Sequence, residues 1–199
     1  IGQCTGRAGG QRRRVVVRCD RQGEARIGQR GTHAVRQAEG EAVWRIGQGR
    51  GTVEVSARCT CGCPTVVRTL PRLPDGTPFP TSFYATCPRL TGAISTLETT
   101  GLMGEMTERL ATDTELAAAY TAAHEHYLAA RRALGVVEEI DHVSAGGMPT
   151  RVKCLHVLVA HSLAAGPGVN PLGDEALEML EPWWHAGCCA DAIAAREQA

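Results

Sequence analysis

The segment TDTELAAAYTAAHEHYLAARRALG, residues 112–135, constrains the fold more than any other stretch of the chain. Leu116, Tyr120, Ala123, Tyr127, Ala130 and Leu134 recur at spacings of three and four. At 100° per residue they lie within about 40° of one line along a helix. A helix with such a stripe must bury it against other elements, so a packed, helix-rich domain is expected. Thr112 and Glu115 fit a capping box at its start, and Gly135 a stop signal. Glu125 points away from the stripe, while His124 and His126 flank it.

Further helices are expected on either side. RLTGAISTLETTG offers Leu90, Ala93, Ile94 and Leu97 on one face, with Gly101 just past the end, and LMGEMTERL offers Leu102, Met106 and Leu110. After SAGGMP, Pro149 suits the first turn of a helix whose buried face is Val152, Leu155, Leu158, Val159 and Leu163. GPGVNPLGDE breaks that helix, and a last one begins near Asp174. Upstream, VEVSARC alternates Val53, Val55, Ala57 and Cys59 on one side, and PTVVRTL can return as its partner across TCGC. PRLPDGTPFP, residues 71–80, carries four Pro and must run as an ordered loop or strap. The fold class is therefore α+β and mostly helical, a short N-terminal β-hairpin and a Pro-rich strap packed on three or four helices.

Composition separates the two ends. The formal net charge of +0 over 199 residues hides eleven Arg against four acidic residues in positions 1–52, and ten basic against seventeen acidic residues beyond them. Residues 1–38, rich in Arg and Gly, are expected to be disordered or foreign to the native domain, residues 39–185 to be one globular domain, and 186–199 a tail. A basic arm for RNA or phospholipid competes with an overextended reading frame. With aromatic residues at 4%, nucleic-acid binding is not expected. No apolar run approaches the roughly 18 to 20 residues of a membrane-spanning helix, and no leader pattern is evident, so a cytoplasmic protein without membrane insertion is expected. Nine Cys, an odd count without a dense framework, fit a reducing compartment and leave metal binding open.

PRLPDGTPFPTSFYATCPRL, AHEHYLAARR and AGGMPTRVKCLHVLVAHSLAAGPGVNPLGDEAL together resemble a bacterial family, domain of unknown function family 501, over about residues 40–185. The resemblance implies a domain boundary near Glu39 and brings no activity with it. Cys61 and Cys63 depart from the family pattern, which weakens any metal site built on Cys59, Cys61 and Cys63 together.

Two site readings follow from the residues. In SAGGMPTRVK, glycines let the backbone approach a ligand, and the helix behind them presents unpaired N–H groups that favour an anion. Gly146, Gly147, Arg151 and Lys153 would hold a phosphate or carboxylate, with Asn170 and Asp174 on the rim and Cys154, His156 and His161 as candidate catalytic groups. The protein would then be a ligand-binding or enzymatic domain for a small anionic ligand. The alternative is a non-catalytic interaction module with structural zinc on Cys59, Cys87, Cys154 and His161. Were residues 152–163 one regular helix, Cys154 and His156 would diverge by about 200° and could not share an ion, and Cys154 and His161 would stand near 10 Å apart along the axis. Buried Cys serving as small apolar groups, and His satisfied within the core, compete with both. HEHY lacks the second His of a zinc-protease helix, because position 128 is Leu.

Overall fold

The computed structural model describes residues 51–186. The readings made for residues 1–38 and for most of the C-terminal tail lie outside these residues. Three strands open the fold: β1 (Thr52–Arg58), β2 (Pro64–Thr69) and β3 (Phe83–Ala85), antiparallel in that spatial order. The expected hairpin is present, its turn closed by Cys59 N–H to Cys63 O at 2.9 Å and Gly62 N–H to Cys59 O at 2.8 Å. β2 is the central strand, and all its residues but Arg68 are buried. The third strand was not expected from sequence, since three residues are too few to show an alternation.

The Pro-rich segment between β2 and β3 folds back on itself. Arg72 pairs with Pro78 across it, and Leu73 N–H donates to Thr77 O at 2.9 Å. Arg72 then clamps it to the rest of the domain through two 2.8 Å bonds to the Glu139 carboxylate.

Five helices follow: α1 (Pro88–Glu98), α2 (Leu102–Thr112), α3 (Thr114–Arg132), α4 (Leu155–Ala165) and α5 (Pro171–Met179). Short 3-10 turns occupy Glu138–Ile140 and Trp183–Ala186. The cap of α3 is Asp113, not Thr112: its carboxylate accepts Leu116 N–H at 2.9 Å, whereas Thr112 still belongs to α2. Tyr120, Ala123 and Tyr127 are buried as the stripe requires, and His124, Leu128 and Arg131 are buried too, widening the packed face to one side.

α4 departs further from its expected bounds. Sequence places its start at Pro149, but the helix begins at Leu155. Gly146 and Gly147 adopt φ of 77° and 94°, which ordinary side chains disfavour, and the chain there closes a compact turn. In it Arg151 N–H donates to Gly147 O at 3.2 Å and Lys153 N–H to Gly146 O at 2.8 Å. From Leu155 on, the helix is buried nearly all round, as Leu155, Val157, Leu158, Val159, Ala160, His161 and Ser162 show. It is the central post of the domain, packed against α1, α5 and β3. α5, by contrast, starts earlier than expected, at Pro171, with Asn170 as its cap accepting Gly173 N–H at 3.0 Å. Among the described residues no helix is long and apolar enough to cross a membrane.

Candidate functional site

The late start of α4 changes what its first residues can reach. Cys154 is the cap residue, extended at φ −159° and ψ 114°, and its side chain makes no capping hydrogen bond. His156 is in the first helical turn. The 200° divergence expected for a regular helix therefore does not apply, and Cys154 and His156 are brought to the same place.

The third member comes from α1. Thr91, Ser95 and Glu98 stand four and then three residues apart, so they form one row along that helix. The His156 ring lies against this row. Its Nδ1 is 3.2 Å from Glu98 Oε1, and its Nε2 is 3.2 Å from the Thr91 carbonyl oxygen and 3.4 Å from Ser95 Oγ. Glu98 Oε1 also accepts the Leu155 N–H at 2.7 Å. One ligand-type atom from each of Glu98, Cys154 and His156 lies within 4.8 Å of the others, and all three residues are half-buried. Hydrogen bonding to Cys154 and then to the Glu98 carboxylate pushes the His156 imidazole up to about 9, against the opposing pull of burial. With both ring nitrogens facing oxygen acceptors, the protonated ring fits its surroundings.

The anion expected at this helix start is thus partly supplied by the protein. Glu98 occupies the positive end of α4 and takes one of its unpaired N–H groups. Gly146 and Gly147 serve the chain's own packing: a Cβ at Gly147 would lie 2.7 Å from the Arg151 carbonyl oxygen, and one at Gly146 3.1 Å from Val157. Arg151 and Lys153 are exposed, and among the described residues neither head group has a bonding partner. They place positive charge three residues and one residue before Cys154.

The remaining candidates are elsewhere. His161 is fully buried, stacked on Phe83 with ring centres 5.4 Å apart and edge-on to Tyr127 at 5.2 Å. Burial first, and then His126, push it down to about 4, so it is neutral and belongs to the core. Its Nδ1 meets Asn170 Nδ2 at 3.2 Å, and its Nε2 meets His126 Nδ1 at 2.9 Å. Asn170, itself fully buried, is a cap, and Asp174 accepts Gly168 N–H at 2.7 Å. Cys59, Cys87, Cys154 and His161 do not converge: among the described residues, Glu98, Cys154 and His156 are the one group of three or more with metal-ligand spacing.

The family model described as "Protein of unknown function (DUF501)" matches residues 55–178. The chain belongs to the DUF501 family. The DUF501 match opens within β1 and closes within α5, so it encloses Glu98, Cys154 and His156 together with Arg151 and Lys153. No curated protein and no solved structure matches the chain.

Sequence reading missed Glu98. The signal was there: a carboxylate in the last turn of a helix faces the negative end of the dipole, an unfavourable place unless a partner from outside the helix compensates.

Proposed function

We propose that this DUF501 protein is a ligand-binding or enzymatic domain for a small anion, a phosphate or carboxylate, with its centre at Glu98, Cys154 and His156. The supporting observation is the convergence of the α1 end and the α4 start on a half-buried thiol–imidazole–carboxylate group. Cys154 and His156 would meet the ligand. Glu98 holds His156 and the start of α4 in place, and Arg151 and Lys153, whose head groups have no partner among the described residues, would supply positive charge. The reading takes the protein to be cytoplasmic, where a thiol such as Cys154 stays reduced.

Thermal unfolding of the full chain with inorganic phosphate, a phosphomonoester and a dicarboxylate tests it. A concentration-dependent rise in Tm is expected with at least one of them, through preferential binding to the folded state. The rise should disappear in the Arg151→Ala, Lys153→Ala double variant and fall in His156→Gln, both with unchanged far-ultraviolet circular dichroism. No shift in the parent, or the same shift in both variants, removes the reading.

A further inference from the structure

We propose that Glu98, Cys154 and His156 form a three-ligand site for a divalent, borderline-soft transition-metal ion, for which zinc is the chemical match. The inference rests on the same centre as the proposed function, adding a cofactor to it, but does not depend on anion binding.

Three independent features of the geometry point to it. The first is spacing. A tetrahedral ion with nitrogen and oxygen ligands at roughly 2.0 to 2.2 Å separates them by a little over 3 Å. His156 Nδ1 and Glu98 Oε1 stand 3.2 Å apart, and one ring nitrogen, one carboxylate oxygen and the Cys154 sulfur all lie within 4.8 Å of one another. The second is the outer face of the ring. A metal-bound imidazole ordinarily donates its other N–H to a carbonyl or carboxylate, which fixes its tautomer and aim. Here Nε2 meets the Thr91 carbonyl at 3.2 Å, which turns Nδ1 toward Glu98. The third is support. Glu98 and His156 belong to helices and Cys154 caps one, and the Leu155 N–H bond of 2.7 Å anchors the carboxylate without using its second oxygen.

The donor set narrows the ion. Thiolate and imidazole disfavour Mg²⁺ and Ca²⁺, which seek oxygen, whereas one sulfur, one nitrogen and one oxygen suit Zn²⁺. On binding, the metal takes the places of the Nδ1 proton and the thiol proton, and both protons pass to solvent. Three protein ligands leave a fourth position, and the half-buried setting opens it to water or an anion. That is the pattern of working zinc sites, in contrast to the closed four-ligand sites that only staple a fold.

The test uses the full chain, freed of any affinity tag and purified without immobilised metal, then stripped with chelator and titrated with Co²⁺ and Zn²⁺. One equivalent of Co²⁺ should bind with a thiolate-to-cobalt charge-transfer band, and Zn²⁺ should displace it. Cys154→Ser should abolish the band. Glu98→Gln and His156→Gln should each weaken Zn²⁺ affinity about tenfold or more, measured by competition with a chromophoric chelator. The Cys61→Ser, Cys63→Ser variant should keep both band and affinity. Each variant is checked by circular dichroism, and Cys154→Ala serves where the serine variant does not fold. No stoichiometric metal, or a band that survives in Cys154→Ser and vanishes in the Cys61, Cys63 variant, overturns the inference. Anion-dependent Tm shifts in the stripped protein separate the two readings. Shifts without metal binding leave the proposed function standing alone, and metal binding without shifts leaves the metal site standing alone.

Discussion

Glu98 closes α1 with its carboxylate turned to the opposite end of another helix, where Oε1 receives the Leu155 N–H at 2.7 Å. Two helix ends of opposite polarity are thereby joined by one side chain, because the acid that opposes the dipole of α1 complements that of α4. Glu98→Ala is expected to destabilise the domain by about 1 to 3 kcal/mol, since it leaves the part-buried N–H without an acceptor. Glu98→Gln keeps an acceptor oxygen and should cost less than half as much. Urea unfolding of both variants measures the difference, and equal losses would show that charge rather than the hydrogen bond is what α4 requires.

Periodic segments were readable in the sequence because their burial is one-sided. The stripe of α3 and the apolar faces of α1 and α2 gave helices of the right type in the right places, and the Val-rich alternation gave the β1–β2 hairpin. What the sequence concealed was local backbone conformation. Pro149 looks like a first-turn residue on its own, yet the Gly146–Gly147 turn claims the next several residues and delays α4 to Leu155. That shift of six residues moves Cys154 from the body of a helix to its cap and reverses the conclusion about Cys154 and His156. His161 shows the opposite limit: as a polar residue within an apolar helix it invited a functional role, and only the packing of Phe83 face-on and Tyr127 edge-on against it reveals it as core. The partner of His156 comes from 58 residues away, a relation that periodicity within either helix does not encode.

Gly173 allows α5 to cross α4. A Cβ there would stand 2.3 Å from the Leu158 carbonyl oxygen and 2.4 Å from Ser162 Oγ, and a carbonyl cannot turn aside as a long side chain can. Gly173→Ala should therefore destabilise by about 2 to 4 kcal/mol, despite the better helix propensity of Ala. Gly104→Ala in α2, where a Cβ meets nothing within 4 Å, should be neutral or stabilising by up to about 1 kcal/mol. Paired Tm measurements check the contrast, and a mild Gly173→Ala effect would mean the two helices separate easily.

Arg131 and Arg132 are adjacent and should behave differently. Arg131 is 2% exposed and donates to the carbonyl oxygens of Val143, at 2.6 Å, Pro80, at 3.3 Å, and Ile140. It ties the Pro-rich hairpin to the segment after α3. Removing it leaves buried carbonyls without donors, so Arg131→Met should cost about 3 kcal/mol. Arg132 pairs with Asp141 at 2.8 Å on the surface, where water screens the charges. Arg132→Met should cost far less than Arg131→Met, and lose even that small effect in high salt.

His161 sets the acid limit of stability. Its folded form titrates at about 4 against an ordinary 6.5, because burial disfavours the charged ring and His126 adds to that penalty. A depressed pKa means that the neutral ring contributes fully above about pH 6.5 and that the contribution is lost as pH falls toward about 4. The total is on the order of 3 kcal/mol at most. His124, lowered chiefly by burial, acts in the same direction. Asp75, Glu139 and Asp141 all titrate below their ordinary carboxylate values, so they lose their contributions at lower pH and leave the upper part of the window to His161 and His124, opposed in part by His156, whose raised value adds stability as pH falls. Urea midpoints should accordingly fall between pH 7 and pH 5, and His161→Gln, less stable at pH 7, should show a flatter profile over the same range. A variant with the parent's slope would assign the acid sensitivity to another group.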